Sequence, residues 1–163
     1  MKNVVSPYIS GDITLRMLEE RDLPLTLSWR NNANVRKWFK SSAEIDFESH
    51  KAWFESYKKK SDDYVFISEV SGSVVGQLAV YQIESNKAEV GRFISSPDMS
   101  GKGLMKLSLQ VFLEFIATTF ELKEIFLEVY EDNERAIALY KKLGFKAVTV
   151  IDGLIQMRLA CNN

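Results

Sequence analysis

The sequence predicts a mixed α/β fold in a single domain. Strand-like segments joined by short turns dominate its first half, which is typical of an antiparallel meander. The second half alternates strand, helix and strand, and it ends in two strands around a tight turn. A chain of 163 residues, 46% of them hydrophobic, is long enough for one domain with a substantial core.

The first half of the chain is predicted to supply four strands and two helices. In order these are a strand at 13–18, helices at 19–31 and 47–60, and strands at 64–70, 74–83 and 88–95. Acidic residues open the first helix, where the helix dipole favours them. The second helix carries Phe47, His50, Phe54 and Tyr57 on one face. The Ser-Gly-Ser sequence at 71–73 is a hairpin signal, so the strands that flank it are expected to pair.

The second half is predicted to form a β-α-β unit and a hairpin. Its elements are a long helix at 103–120, a strand at 123–130, a helix at 133–143, and strands at 146–151 and 154–160. Asn133 is a good N-cap, and Gly144 lies where a left-handed C-cap residue is needed. Asp152 and Gly153 form a tight turn between the last two strands.

Composition argues against several classes of function. A net charge of −1 disfavours bulk binding of nucleic acid, which needs many uncompensated Lys and Arg residues. The single cysteine, Cys161, allows no disulfide within the chain, which suits the cytoplasm. Polar and charged residues interrupt the apolar segment at 104–120, so we expect no membrane span. We expect no metal site either.

The densest motif lies in the helix at 133–143 and the strand before it. Glu-Val at 128–129 is followed by Asn133, Ala136, Leu-Tyr at 139–140 and Gly-Phe at 144–145. At these spacings the motif resembles the acetyl-CoA-binding end of the GNAT superfamily of N-acetyltransferases.

This resemblance covers most of the chain, from about residue 13 to 159. It implies one N-acetyltransferase domain over residues 1–163. Its mixed, mostly antiparallel sheet would have about seven strands and about four flanking helices. The sheet would be splayed open between its fourth strand, 88–95, and its fifth, 124–130.

The same resemblance implies acetyl-CoA as co-substrate, and the turn at 100–105 suits its pyrophosphate. Glycines there let the backbone approach a ligand, and a helix N-terminus offers free N–H groups. Ser100 replaces the family's Arg or Gln, and Met105 replaces a small residue, which could weaken coenzyme affinity or mark a divergent branch. The predicted coenzyme-binding residues are Phe93, Ile94, Gly101, Lys102, Gly103, Leu104, Met105, Asn133 and Ala136.

Catalytic roles also follow from the resemblance. Tyr140 would act as general acid toward the departing thiolate, and a backbone N–H near Phe93 or Ile94 would stabilise the oxyanion. Two carboxylates compete for the role of base. Glu128 shares a strand face with aromatic residues, and we expect a half-buried carboxylate there to be a serviceable base. We favour it over Glu89, which we assign to the acceptor side and which is equally well read as a solvated strand-end residue.

The acceptor side is predicted from Arg30, Asn31, Trp38 and His50. At these spacings they resemble the bacterial nucleotide-sugar N-acetyltransferases of pseudaminic acid biosynthesis, which implies a UDP-linked amino sugar as acceptor. Arg30 could pair with a diphosphate, Trp38 could stack on a ring, and His50 could bond a hydroxyl or deprotonate the amine. Equally ordinary interpretations are that Arg30 caps its helix and that Trp38 and His50 pack in the core.

Other functions are compatible with the sequence. The acceptor could instead be a protein N-terminal amine, as in ribosomal-protein acetyltransferases, another small amine, or an aminoglycoside. A non-catalytic module that binds acetyl-CoA is disfavoured, because both Glu128 and Tyr140 are present. We expect a cytoplasmic monomer or homodimer whose partner is a small molecule, with neither nucleic acid nor membrane involved.

Overall fold

An eight-stranded sheet organises the computed structural model, which describes residues 2–162. The strands are β1 (Tyr8–Ser10), β2 (Ile13–Met17), β3 (Asp63–Val70), β4 (Ser73–Glu84), β5 (Lys87–Ser95), β6 (Glu124–Tyr130), β7 (Lys146–Ile151) and β8 (Leu154–Ala160). The helices are α1 (Leu23–Asn31), α2 (Ala33–Arg36), α3 (Phe47–Tyr57), α4 (Leu104–Thr119) and α5 (Glu134–Lys142). The strand order is β1-β2-β3-β4-β5-β6-β8-β7, and only the β5–β6 pair is parallel. The predicted mixed α/β fold is therefore confirmed.

Two short elements were not predicted. β1 has three residues and α2 has four, so neither is long enough to show a hydrophobic period. β1 adds a strand to the predicted seven, and α2 adds one turn of helix to the predicted four. The first predicted helix also begins later than expected, because residues Glu20–Asp22 form a 3-10 turn before α1.

The predicted splay is present between β5 and β6. These strands pair at only three positions: Lys87 with Glu124, Ala88 with Ile125, and Glu89 with Phe126. Beyond Glu89, β5 has no ladder partner on this side within residues 2–162, although both strands continue. We call the opening between 90–95 and 127–130 the fork. Backbone groups along its edges are available to a ligand.

Alternation along β3 divides the apolar residues between two layers. Tyr64 and Phe66 belong to the larger core, which α4 covers, whereas Val65 and Ile67 belong to a smaller one on the opposite face. The larger core includes the fully buried Phe112 of α4. The smaller core includes residues of α1 and α3. Within residues 2–162, no helix has the length and apolar character to cross a bilayer.

A β-bulge in β5 turns the backbone at the fork. Gln77 lies opposite Ile94 and Ala79 lies opposite Gly91, so β5 has one more residue than β4 in this stretch. Arg92 takes up the extra length with a left-handed φ of 52°, and the Gln77 amide donates to its carbonyl oxygen at 2.9 Å. Bulges break pairing and re-aim side chains, so β5 is distorted directly after its last bridge to β6.

Candidate active site

A cavity of about 810 Å³ opens at the fork. Residues of β4, β5, β6 and α5 line it, and the segment from Arg30 to Ser41 contributes a further wall. The predicted site residues in its lining are Arg30, Trp38, Glu89, Phe93, Ile94, Glu128, Asn133, Ala136 and Tyr140. The fold therefore brings residues of α1, β5, β6, α5 and the segment that contains Trp38 to one cavity.

Tyr140 is presented to the cavity by α5. Asn133 caps the helix by accepting a hydrogen bond from the Ala136 amide at 3.3 Å, as its side chain predicts. The Tyr140 ring lies 6.1 Å, between centroids, from both Phe93 and Phe145. Burial raises the pKa of Tyr140 to about 12, so its hydroxyl is protonated at neutral pH and can donate. Among residues 2–162 the hydroxyl has no hydrogen-bond partner.

Glu128 differs from its expected environment. It lies beyond the last β5–β6 bridge, and its side chain is 32% exposed. Its Oε1 accepts a hydrogen bond from Lys40 Nζ at 2.8 Å, which pairs it with a cation. The side chain of Glu128 is therefore partly covered, as expected, but its partner is a cation that the sequence did not predict.

Glu89 is the other carboxylate of the cavity wall. It lies opposite Tyr81 in the β4–β5 ladder and is half-buried in the cavity wall. Burial raises the pKa of Glu89 above its ordinary value, although the hydrogen bond from Tyr81 acts in the opposite direction. A carboxylate with a raised pKa is the better proton acceptor near neutral pH. Glu89 therefore has a property that a general base needs.

Arg30 and Trp38 both reach the cavity, in different ways. The Arg30 guanidinium is buried, lies 4.3 Å over the Phe39 ring and donates through Nη2 to the Ser41 carbonyl. Its Nη1 is buried without a hydrogen-bond partner within residues 2–162. Trp38 is 36% exposed and stands at the cavity wall, so it is not a core residue.

Asn31 and His50 do not line the cavity. Both functions of the Asn31 amide are used by the backbone of Ile45, with donation at 2.7 Å and acceptance at 2.8 Å. His50 Nε2 lies 3.2 Å from Thr26 Oγ1, and its ring stacks on Trp53 at 5.5 Å. Burial, with the charge of Arg30, lowers the pKa of His50. These contacts describe packing residues that position the neighbouring segments.

The turn before α4 keeps its predicted backbone geometry. Gly101 and Gly103 have φ values of 81° and 73°, a region that L side chains rarely adopt. Gly103 is the N-cap of α4 and no side chain caps it, so the first N–H groups of the helix are open to an anion. Lys102 and Leu104 flank that N-cap.

Packing explains why Met105 stands where the family has a small residue. A Cβ placed on Gly76 would lie 3.2 Å from Met105 Sδ, so the methionine fills space that the glycine leaves on β4. The side chain also packs against the larger core. A longer residue is therefore accommodated at this point of α4 without closing the turn.

Three cationic residues and one tyrosine of the cavity wall were missed: Lys40, Arg92, Arg135 and Tyr81. Arg92 pairs with Asp63 through two hydrogen bonds of 2.8 and 3.1 Å, and its guanidinium lies 4.3 Å over the Tyr81 ring. Gly91 indicates from sequence that this part of β5 is irregular, because glycine inside a strand marks a bulge or a close approach. A Cβ there would overlap the Tyr81 hydroxyl. Lys40 lies in an irregular segment, where the sequence offers no comparable signal.

Residues 12–146 match the acetyltransferase (GNAT) domain family. The chain is 31% identical to spermidine N(1)-acetyltransferase of Escherichia coli over 136 residues, which are 82% of this chain and 72% of that protein. An uncharacterized protein of Methanocaldococcus jannaschii is 28% identical over 82% of this chain, but the match spans only 28% of its length.

Solved structures share the fold. The complex of Vibrio cholerae spermidine N-acetyltransferase with CoA and spermine superposes with a TM-score of 0.83 at 23% identity, covering 93% of this chain and 96% of that one. Campylobacter jejuni N-acetyltransferase PseH gives a TM-score of 0.76 at 17% identity, covering 93% and 100%. At these identities the likeness shows the fold alone. Where these relatives are named for an acceptor, it is spermidine and not an amino sugar.

The match over residues 12–146 spans the fork, the turn before α4 and helix α5. It therefore includes Glu89, Glu128 and Tyr140, the residues that the geometry brings to one cavity. The chain belongs to the acetyltransferase (GNAT) family and is an N-acetyltransferase that uses acetyl-CoA.

Proposed function

We propose that residues 1–163 act as one domain that transfers the acetyl group of acetyl-CoA directly to a primary amine of a small molecule. The observation that carries the proposal is the fork, where Tyr140, Glu89 and an unpaired β5 edge face one cavity. Both substrates can meet there, so transfer needs no acyl-enzyme and proceeds in a ternary complex.

Coenzyme binding is assigned to backbone groups. The β5 edge beyond Glu89 has N–H and C=O groups free to bond an extended, amide-bearing arm. The uncapped start of α4, with Gly101 and Gly103 before it, suits the pyrophosphate. This arrangement depends on backbone N–H groups, so it tolerates Ser100 in place of the family's basic or amide residue.

The chemical step consists of attack by the amine, cleavage of the C–S bond and two proton transfers. The amine nitrogen attacks the thioester carbon, the C–S bond breaks, and Tyr140 gives its proton to the departing sulfur. A backbone N–H near Phe93 or Ile94 stabilises the oxyanion of the tetrahedral intermediate. The amine's proton passes to Glu89, directly or through water, because burial raises the pKa of this carboxyl group above its ordinary value. Glu128 then serves the acceptor side.

A polyamine is the first candidate acceptor. The support is the 31% identity to a protein named spermidine N(1)-acetyltransferase, together with two carboxylates in the cavity wall that can bind ammonium groups. A nucleotide-linked amino sugar is the second candidate. It is favoured by Trp38, by the exposed cation of Arg135 and by the unpartnered Nη1 of Arg30, which together suit an acceptor with an anionic part and a ring.

The test is a release assay for the CoA thiol with purified protein and a panel of amines. Spermidine and spermine, UDP- and dTDP-linked amino sugars, N-terminal peptides and aminoglycosides are compared by kcat/KM. The proposal expects one small-molecule class to exceed the others by at least about tenfold, which corresponds to ~1.4 kcal/mol. Preference for a peptide would overturn the small-molecule assignment, and no release with any amine would overturn the enzyme mechanism proposed for the fork.

A further inference from the structure

Lys40 holds an ammonium group inside the cavity. Its Nζ lies 2.8 Å from Glu128 Oε1, and its charge also interacts with Glu89. Glu89 is paired with Phe126, and Glu128 lies two residues further along β6 on the same face. We infer that Lys40 determines acceptor specificity: its ammonium occupies the subsite for the acceptor's ammonium, and a cationic acceptor must displace it from Glu128. The inference rests on the proposed function.

The chain fixes the backbone on both sides of Lys40. Arg30 lies against the Phe39 ring and donates to the Ser41 carbonyl, so one buried guanidinium holds both neighbours of Lys40. The segment from Lys37 to the start of α3 has no long helix or strand of its own. Arg30 is thus a positioning residue, and the Lys40 side chain is directed across the cavity toward β6.

Displacing Lys40 costs little free energy. About two thirds of its side chain is exposed, at 66%, and an ion pair in such a place contributes roughly 0.2–1 kcal/mol. A ligand ammonium that reaches Glu128 can therefore replace it. The hydrogen bond to Glu128 raises the pKa of Lys40, so the competing group is a cation at neutral pH.

The balance of charges in the cavity explains how Lys40 selects acceptors. Four cations line the cavity, namely Arg30, Lys40, Arg92 and Arg135, and Arg92 is paired with Asp63. With Lys40 on Glu128, only Glu89 among the lining carboxylates of residues 2–162 lacks a cationic hydrogen-bond partner. Without Lys40, two carboxylates face the acceptor. Wild-type protein should therefore bind polycations more weakly than its carboxylates alone would allow.

The experiment compares Lys40→Met with wild type in the binding of spermidine, measured by calorimetry at low ionic strength without acetyl-CoA. We expect Lys40→Met to lower the dissociation constant by about two- to fivefold, the range set by one partly exposed ion pair. Lys40→Arg keeps the pair and should match wild type. Lys51→Met removes the charge of an exposed lysine on α3 that does not line the cavity, and it should leave the constant unchanged.

Glu128→Gln distinguishes occupancy of the subsite from a general effect of charge. If Lys40 acts through Glu128, adding Lys40→Met to Glu128→Gln changes spermidine binding no further. An unchanged or weaker affinity in Lys40→Met, or an equal gain in the Glu128→Gln background, would overturn the inference. Because the readout is binding, these outcomes are separate from the turnover assay, in which failure would refute the proposed function instead. Thermal melts of each variant confirm folding.

Discussion

Replacing Tyr140 with Phe removes one oxygen atom and leaves the ring contacts with Phe93 and Phe145 in place. The hydroxyl has no hydrogen-bond partner within residues 2–162, so its loss should change the free energy of unfolding by no more than about 0.5 kcal/mol. The same oxygen is the proposed proton donor. Without it kcat should fall by about 10²–10⁴-fold, or ~2.7–5.4 kcal/mol in the activation free energy.

The assay combines steady-state kinetics with urea unfolding of the same preparations. We expect the loss to be in kcat, with the KM for acetyl-CoA nearly unchanged, because the hydroxyl acts on the sulfur only as the C–S bond breaks. Since the pKa of Tyr140 is about 12, activity should not decline through Tyr140 ionisation at pH 7 to 9, a range well below it. Turnover within about threefold of wild type would refute the assignment and make Tyr140 a packing residue.

Four further predictions concern the cavity, the sheet and the coenzyme. Glu89→Gln should abolish most activity at neutral pH, with partial recovery at high pH where free amine is abundant. Glu128→Gln should retain more activity at neutral pH. The opposite order in pH–rate profiles would exchange the roles of the two residues. Because the folded-state pKa of Glu89 is raised, the folded protein binds more protons than the unfolded chain, so its contribution to stability falls as pH rises from the unfolded pKa through the folded pKa. Unfolding of Glu89→Gln followed over that window should lack this fall. Gly76→Ala would place a methyl group over the Ile94 carbonyl oxygen, so we expect a loss of about 1–3 kcal/mol in urea unfolding, and an unchanged midpoint would contradict the close approach. Acetyl-CoA at a hundred times its dissociation constant should add ~2.7 kcal/mol, and the lack of any shift in melting temperature would argue against coenzyme binding.

Helix α5 shows what the sequence can predict. Its cap at Asn133, its C-terminal Gly144 with φ of 104° and its cavity-facing Tyr140 are all local properties that a short segment encodes. The turn at Gly101 and Gly103 is predictable for the same reason, since a left-handed φ favours glycine. Seven of the strands follow from hydrophobic alternation and turn signals.

The environment of the carboxylates was not predictable in this way. Glu128 and Glu89 both lie on strands beside aromatic residues, and the position of the last β5–β6 bridge, which leaves Glu128 beyond the ladder, has no local signal in the sequence. Lys40 reaches Glu128 across 88 positions of the chain, from a segment without periodicity. Asn31 and His50 were assigned to the acceptor from their spacing, but their contacts with Ile45 and Thr26 are tertiary and leave no local signature.

The three-bridge junction between β5 and β6 also determines the shape of ligand that this sheet can accept. Strand edges are normally hidden or blunted, because an open row of amides invites pairing with other chains. Here the open row belongs to strands in the middle of the sheet, and it faces a cavity that α5 also lines rather than the outer edge of the sheet. Without a ligand, water can form hydrogen bonds with these backbone groups. A slim, flexible molecule with its own amide groups can exchange that water for hydrogen bonds, whereas a compact or rigid one cannot. The backbone of the fork should therefore select ligands by their thickness and by the spacing of their hydrogen-bonding groups, independently of the side chains.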